Sequence, residues 1–244
     1  MNHNLEGKIA VITGGGGGIG SAVAESLGAR GAKVALCGGN NLAKLEATAA
    51  KVTASGGEAY LLPGNLMEDS FTTNCIEQIA SHFGGIDYLI NNAGMALSCP
   101  FEETTMEQFD QILRLNTRVP YQLCQKVLPY LRKSQSAEII NISSVVGHLG
   151  YPLQSAYAAS KHAIIGFSKS LANEVYNEGI RVHTICPGGV FTDMVKIARP
   201  DLSSEGMIMP QDIANIVLFF LENHGNAVVD EICVHRAGKE PFAY

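Results

Sequence analysis

Short apolar runs alternate with helix-like stretches along almost the whole chain of 244 residues. The strand-like runs cover 8–13, 33–37, 58–62, 86–91, 137–142, 180–186 and 229–234. The helical patterns between them cover 19–30, 41–55, 68–83, 105–133, 154–178 and 211–222. Such alternation is typical of βαβ units, which place helices on both faces of a parallel sheet. It predicts an α/β, doubly wound, mostly parallel seven-stranded sheet that binds ligands at the carboxyl ends of its strands.

Composition and charge exclude several classes of partner. The net charge of −6 argues against nucleic acid, and no apolar stretch reaches the length of a transmembrane helix. The polar residues 1–8 lack the apolar core of a signal peptide. From the missing transmembrane and signal-peptide patterns we expect a cytoplasmic location and no membrane partner. Neither repeats nor linkers interrupt the alternation of strands and helices, so we expect one domain over residues 1–244.

The six cysteines and seven histidines are dispersed, without a C-x-x-C or H-E-x-x-H pattern. Cys37, Cys124, Cys186 and Cys233 lie within apolar segments. This favours reduced, buried thiols and predicts no metal, although a catalytic thiol remains the alternative.

A glycine-rich run from Gly14 to Gly20 joins the first apolar run to a helical pattern with Val23 and Leu27 on one face. Glycine lets the backbone approach a ligand closely, and a helix N-terminus attracts anions. The arrangement therefore predicts a cradle for a dinucleotide pyrophosphate. A flexible linker is the alternative, but linkers rarely lie between an apolar strand and an amphipathic helix.

Tyr157 and Lys161 are four residues apart within a helical pattern, so both side chains share one face. A nearby cation favours the phenolate and brings a tyrosine closer to the working pH range. The pair can therefore serve as a general acid/base. On its own the spacing is weak evidence, because it occurs by chance in many helices.

Five motifs in a fixed order give the chain a family resemblance. They are Thr13-Gly-x-x-x-Gly18-x-Gly20, Asn91-Asn92-Ala93-Gly94, Ser144, Tyr157-x-x-x-Lys161 and Pro187-Gly188. With these separations the chain resembles the single-domain short-chain dehydrogenases/reductases over nearly its whole length. The resemblance implies a Rossmann-type fold and hydride transfer between NAD(P)(H) and a carbonyl or secondary alcohol.

The resemblance also implies catalytic roles. Tyr157 would protonate the substrate oxygen, Ser144 would donate a hydrogen bond to it, and Lys161 would lower the Tyr157 pKa and bind the nicotinamide ribose. Asn116 would hold a water that links Lys161 to solvent, or would stabilise a kink in its helix.

A larger set of residues is implied around the cofactor. It comprises Gly14, Gly18, Ile19, Gly20, Gly38, Gly39, Asn65, Leu66, Asn92, Ala93, Gly94, Tyr157, Lys161, Pro187, Gly188, Val190 and Thr192. Asn65 stands where the family has an adenine-contacting Asp, and it reads equally well as a turn residue. Thr192 would contact the nicotinamide carboxamide or cap a helix.

The choice between NAD and NADP depends on the segment after the second strand. Gly38 stands where NAD-dependent relatives carry Asp, and Gly39 where many NADP-dependent relatives carry Arg. The missing carboxylate removes repulsion of a 2′-phosphate, and the missing guanidinium removes attraction to it. Lys44 could reach the site or be a solvated helix charge. The balance leans to NADP(H) over NAD(H).

The substrate pocket is inferred from family topology. Its expected positions are Met95, Val145, His148, Leu149, Tyr151 and Val190. These predict a medium-sized, largely apolar carbonyl or alcohol substrate. The segment 193–209 reads as a mobile cover or as an ordinary surface loop. By resemblance, the helices at 105–133 and 154–178 predict a homodimer or homotetramer.

The C-terminal strand departs from the pattern of typical 3-oxoacyl-carrier-protein reductases. Those proteins carry a Val-Asp-Gly-Gly turn where this chain reads Asp230 to Arg236. This puts a role in fatty-acid synthesis in doubt, and the ending more resembles broad-specificity carbonyl and hydroxy-acid reductases. His235 and Arg236 are expected to be exposed or at a subunit interface.

Two other functions share parts of the pattern. A nucleotide-binding sensor or scaffold would keep the fold without turnover, but such proteins usually lack the Tyr or the Lys. An epimerase or dehydratase would need a different glycine spacing and a further substrate domain.

Overall fold

The computed structural model describes residues 5–193, 195 and 203–239. Residues 194 and 196–202, which form about half of the segment expected to cover the substrate, lie outside these ranges. At its far end, Ile208 pairs with Val190 in an isolated parallel bridge, so this part of the segment is anchored beside the sixth strand.

Seven strands form one sheet in which every neighbouring pair is parallel. They are β1 (Ile9–Thr13), β2 (Lys33–Cys37), β3 (Glu58–Leu62), β4 (Tyr88–Asn91), β5 (Glu138–Ile142), β6 (Arg181–Pro187) and β7 (Glu231–Val234). The spatial order is β3-β2-β1-β4-β5-β6-β7. The predicted doubly wound sheet is confirmed, and β1 and β4, where the order reverses, lie side by side at its centre.

The helices follow the predicted stretches closely. They are α1 (Gly18–Gly28), α2 (Leu42–Ala54), α3 (Asp69–Phe83), α4 (Met106–Leu113), α5 (Val119–Leu131), α6 (Ser155–Val175) and α7 (Pro210–Glu222). Short 3-10 turns cover Phe101–Glu103, Val145–Gly147 and Tyr176–Glu178.

The prediction of a continuous helix over 105–133 is wrong in one detail. A π-helical turn, Arg114–Arg118, separates α4 from α5. Pro120 lies at the start of α5 and has no N–H to donate to the carbonyl of Asn116, four residues earlier. The proline ring also crowds that carbonyl, so the backbone hydrogen bonds change from the α-helical to the wider π-helical pattern at this point.

Alternate residues of each strand pack into two separate cores. Ile12 of β1 packs with Val23 of α1 and Val217 of α7, whereas its neighbour Val11 packs with Ile76 of α3 and Leu123 of α5. Both faces of the sheet are therefore covered by helices, as the near-continuous apolar strands require. The carboxyl ends of the central strands are thereby held at fixed positions along one edge.

Candidate active site

A cleft of about 900 Å³ opens at the carboxyl ends of the strands. It brings together most of the predicted site residues: Gly14, Gly18, Ile19, Gly38, Gly39, Asn65, Leu66, Asn92, Ala93, Gly94, Ser144, Tyr157, Lys161, Pro187, Gly188, Val190 and Thr192. Gly20 and Asn116 are not in its wall but pack directly behind it.

The glycine-rich turn leaves the start of α1 open. Gly17 precedes the helix without a side-chain cap, and the first turn contains no acidic residue. The free N–H groups and the helix dipole therefore favour an anion such as a pyrophosphate. Gly20 has a different role, because a Cβ there would collide with the Gly14 carbonyl oxygen and lie 2.7 Å from Asn92 Nδ2.

The Asn-Asn-Ala-Gly segment ties the central strands together. Thr13 Oγ1 accepts hydrogen bonds from the backbone N–H groups of Asn92 and Ala93, each at 3.0 Å. Asn92 Nδ2 donates to the Thr13 carbonyl at 3.0 Å, and Asn91 Nδ2 donates to Asn141 Oδ1 at 2.8 Å. These contacts link β1, β4 and β5 at the centre of the sheet.

Glycine occupies both positions that the family resemblance places near the 2′ group of the ribose. Gly38 and Gly39 have φ angles of +82° and +95°, which L side chains rarely adopt. A Cβ on Gly38 would lie 2.6 Å from Leu66 Cδ1, whereas one on Gly39 would meet open space. Gly39 therefore has the room, but not the preferred backbone, for a side chain.

Two other residues near this end make local contacts. Lys44 Nζ forms an exposed ion pair with Asp193 Oδ2 at 2.8 Å, and both residues line the cleft. Lys44 thus reaches the wall of the cleft while its ammonium stays largely solvated. Asn65 Oδ1 accepts from the Met67 N–H at 3.0 Å, which is the contact of a turn residue.

The polar end of the cleft is built from β5, β6 and α6. Lys161 Nζ donates to the Ile142 carbonyl at 2.9 Å and lies 5.7 Å from the centre of the Tyr157 ring. Ser144 Oγ donates to the Pro187 carbonyl at 3.3 Å and accepts from the Val146 N–H at 3.2 Å. Each group is therefore oriented by a backbone partner.

Asn116 is fully buried next to this group. Its Nδ2 donates to the Met95 carbonyl at 2.9 Å and to Ser160 Oγ at 3.0 Å, and its Oδ1 accepts from the Met95 N–H at 2.9 Å. The side chain thus fixes the π-helical turn against α6 and the loop after β4, in agreement with the structural alternative.

The pKa of Tyr157 is shifted in the direction opposite to the one expected. Burial raises the pKa of Tyr157, and the hydrogen bond with Ser144 lowers it only in part. The net direction is therefore opposite to the expected lowering by Lys161. Burial in turn lowers the pKa of Lys161 to about 8. Tyr157 consequently keeps its proton at neutral pH and is suited to donate it to a carbonyl oxygen.

Two of the six residues expected to contact the substrate are absent from the wall of the cleft. Met95, Val145, Tyr151 and Val190 line the cleft as expected, but His148 and Leu149 do not. His148 instead turns to Glu231, with its Nε2 3.0 Å from Oε1.

Three basic residues that follow β7, His235, Arg236 and Lys239, line the cleft. His235 and Arg236 are half-buried rather than exposed, and an Arg236 guanidinium nitrogen donates to Met207 Sδ at 3.4 Å. The register of β7 against β6 places these residues at the cleft. No local sequence pattern predicts this position.

No helix in the described ranges is long and apolar enough to cross a membrane.

Comparison with known proteins agrees with this geometry. The sequence model described as short chain dehydrogenase matches residues 8–203. The 3-oxoacyl-acyl-carrier-protein reductase FabG of Escherichia coli (strain K12) is 35% identical over 238 residues, which cover 93% of this chain and 95% of that protein. The D-beta-hydroxybutyrate dehydrogenase of Rhizobium meliloti (strain 1021) is 34% identical over 212 residues, covering 86% and 82%.

A solved structure shows the same fold with a cofactor. A metagenomic short-chain oxidoreductase in complex with NADP superposes with a TM-score of 0.83 at 29% identity, covering 95% of this chain and 97% of the other. The extent of these matches, together with the ordered motifs in one cleft, establishes the class of protein. The chain belongs to the short-chain dehydrogenase family and is an NAD(P)-dependent oxidoreductase that acts on CH–OH and carbonyl groups.

Proposed function

We propose that the chain, acting as one domain, reduces a carbonyl compound or oxidises the matching secondary alcohol, with Tyr157 as the general acid/base. The observation that carries this is the convergence of Ser144, Tyr157 and Lys161 on one cleft with the glycine-rich turn. The nicotinamide, when bound, supplies or accepts the hydride. Tyr157 gives its proton to the substrate oxygen, and Ser144 donates a hydrogen bond to the same oxygen.

The cofactor proposed is NADP(H) in preference to NAD(H). Neither Gly38 nor Gly39 offers a carboxylate that would repel a 2′-phosphate or bind a 2′-hydroxyl. The structural relative with bound NADP supports this choice.

The substrate proposed has an apolar body and an anionic group. Met95, Val145 and Tyr151 supply apolar wall, while Arg236 and Lys239 have no carboxylate partner within the described ranges. A carboxylate on the substrate would provide one. The proposed substrate therefore differs from the largely apolar compound predicted from the sequence by one charged group.

The assembly proposed is a cytoplasmic homodimer or homotetramer. An open groove between the α4–α5 helices and α6 has an apolar floor, with the Tyr121 side chain half exposed, and a polar rim. The apolar lining residues are Leu113, Tyr121, Ala163 and Phe167, and the polar ones are Asp110, Arg114, Thr117 and Arg118. The apolar floor suits a second copy of the same helices.

The experiment is a fluorescence titration with NADPH and NADH at fixed salt, followed by assays against ketones in pairs with and without a carboxylate. Tight NADPH binding, turnover, and lower KM for the charged member of each pair would support the proposal. Preference for NADH would overturn the cofactor choice. Binding of neither cofactor would favour the alternative of a scaffold without turnover.

A further inference from the structure

Four side chains with metal-binding chemistry converge beside the catalytic group. The ligand atoms of His148, Cys186, Glu231 and Cys233 all lie within 4.8 Å of one another. Cys186 directly precedes Pro187, whose carbonyl accepts the hydrogen bond from Ser144 Oγ. His148 ends the 3-10 turn that begins after Ser144. The cluster is therefore a neighbour of the active site without being part of the cleft wall.

The sheet itself creates this cluster. The β6–β7 register sets Cys186 directly beside Cys233. Glu231 precedes Cys233 by two residues on the same strand, so both side chains point to the same face of the sheet. His148 approaches that face from the turn, with its Nε2 3.8 Å from Cys186 Sγ and 3.0 Å from Glu231 Oε1.

One oxygen of the cluster lacks a partner. Glu231 Oε2 is buried and has no hydrogen-bond partner among the described residues. A buried carboxylate oxygen without a hydrogen bond is costly and therefore uncommon in native proteins. A cation in the middle of the cluster would satisfy this oxygen while it also bridges both sulfurs and the imidazole.

We propose that His148, Cys186, Glu231 and Cys233 form a structural zinc site. Two sulfurs, one imidazole nitrogen and one carboxylate oxygen match the ligand types that zinc takes in proteins. Tetrahedral zinc, with bonds of about 2.0–2.3 Å, holds its ligand atoms about 3.3–3.8 Å apart. The four ligand atoms already lie within 4.8 Å of one another, so small side-chain rotations would bring them to these separations.

The chemistry of binding is a simple exchange. Each thiol loses its proton to solvent as its Zn–S bond forms, so two protons leave for each ion bound. Four protein ligands leave no open coordination position, which makes the site structural rather than catalytic. The ion would link the turn after Ser144 to β6 and β7, and so stabilise the position of Ser144.

The test uses the full chain, purified without a metal-affinity tag, reduced, and freed of metal by a chelator. Titration with Co²⁺ should give tetrahedral d–d bands and a thiolate-to-cobalt absorption that saturate at one ion per chain. Zn²⁺ should then remove both signals. Added Zn²⁺ should also raise the unfolding temperature, because it binds only the folded chain.

Two variants separate this site from adventitious binding. Cys233→Ser removes one thiolate, so the charge-transfer intensity should fall to about half and the Co²⁺ affinity should drop by more than about tenfold. Cys99→Ser makes the same chemical change at another half-buried cysteine and should alter neither signal. Circular dichroism of both variants checks that each is folded.

The proposal is overturned if the reduced protein gives no saturable cobalt signal. It is equally overturned if Cys233→Ser, shown to be folded, binds Co²⁺ with the spectrum and affinity of the unaltered chain.

Discussion

The two ends of the cleft are built in opposite ways. Around Gly20 and Gly38 the site depends on side chains that are missing, because a Cβ at either position would meet the Gly14 carbonyl or Leu66. Around Ser144 and Lys161 it depends on polar side chains that are buried and held by backbone carbonyls. We interpret the first end as a shaped space for a cofactor and the second as an oriented set of proton donors.

This difference means that the two ends should fail separately. Damage to the glycine end should mainly weaken cofactor binding, whereas damage to the polar end should mainly slow the chemical step. The following predictions test this separation from the largest expected effect to the smallest.

Lys161→Met should have the largest effect. It removes the buried cation and its hydrogen bond to the Ile142 carbonyl while roughly keeping the side-chain length. We expect kcat to fall by about 10²–10⁴-fold, the usual range for loss of positioned acid–base catalysis. Steady-state assays with NADPH measure this. Lys169→Met, at an exposed position further along α6, is the control and should keep normal turnover.

Gly20→Ala should damage the other end. The added methyl collides with the Gly14 carbonyl oxygen and crowds Asn92, so the turn must shift. Overpacking of this kind costs about 1–3 kcal/mol, which corresponds to NADPH binding about 5–150-fold weaker. Fluorescence titration gives the value. Gly166→Ala, where the new Cβ meets open space, should bind as before, and equal affinity of Gly20→Ala would refute this role for the turn.

The pH dependence of reduction should report on the polar end. Burial lowers the pKa of Lys161 to about 8, so the ammonium beside Tyr157 loses its charge as pH rises through that value. We therefore expect kcat/KM for carbonyl reduction to be level below pH 8 and to fall about tenfold per unit above it. A profile that stays level to pH 10 would contradict the assignment.

Gly39→Arg should have the smallest effect. The position is open, and an arginine there could contact a 2′-phosphate. Its φ of +95° strains any L residue, which offsets much of the gain. We expect the ratio of NADH to NADPH dissociation constants to rise only a few-fold. Gly39→Gln, which carries the same strain without the charge, should leave the ratio unchanged.

Most of the fold could be predicted because apolar runs and turn glycines are local signals. The strand and helix positions and the doubly wound sheet followed from them, whereas most of the cleft residues were implied by the family resemblance. The π-helical turn at Asn116 was missed, although Pro120 four residues later is a signal that could have revealed it.

The contacts that escaped prediction join distant parts of the chain. The Lys44–Asp193 ion pair, the His148–Glu231 contact and the position of Arg236 in the cleft depend on how strands and loops are placed. The proximity of Cys186 and Cys233, on which the proposed zinc site depends, also escaped prediction, because only the β6–β7 register brings the two residues together. No pattern within a short window records such a pairing.

The most direct test is a single-turnover measurement with Tyr157→Phe loaded with NADPH, using a ketone that the unaltered chain reduces. The phenyl ring keeps the shape and removes only the hydroxyl. Our account predicts NADPH affinity within about twofold of normal and hydride transfer at least about 100-fold slower, while Tyr176→Phe, at an exposed tyrosine, transfers at the normal rate. Hydride transfer by Tyr157→Phe within a few-fold of normal would show that another group supplies the proton.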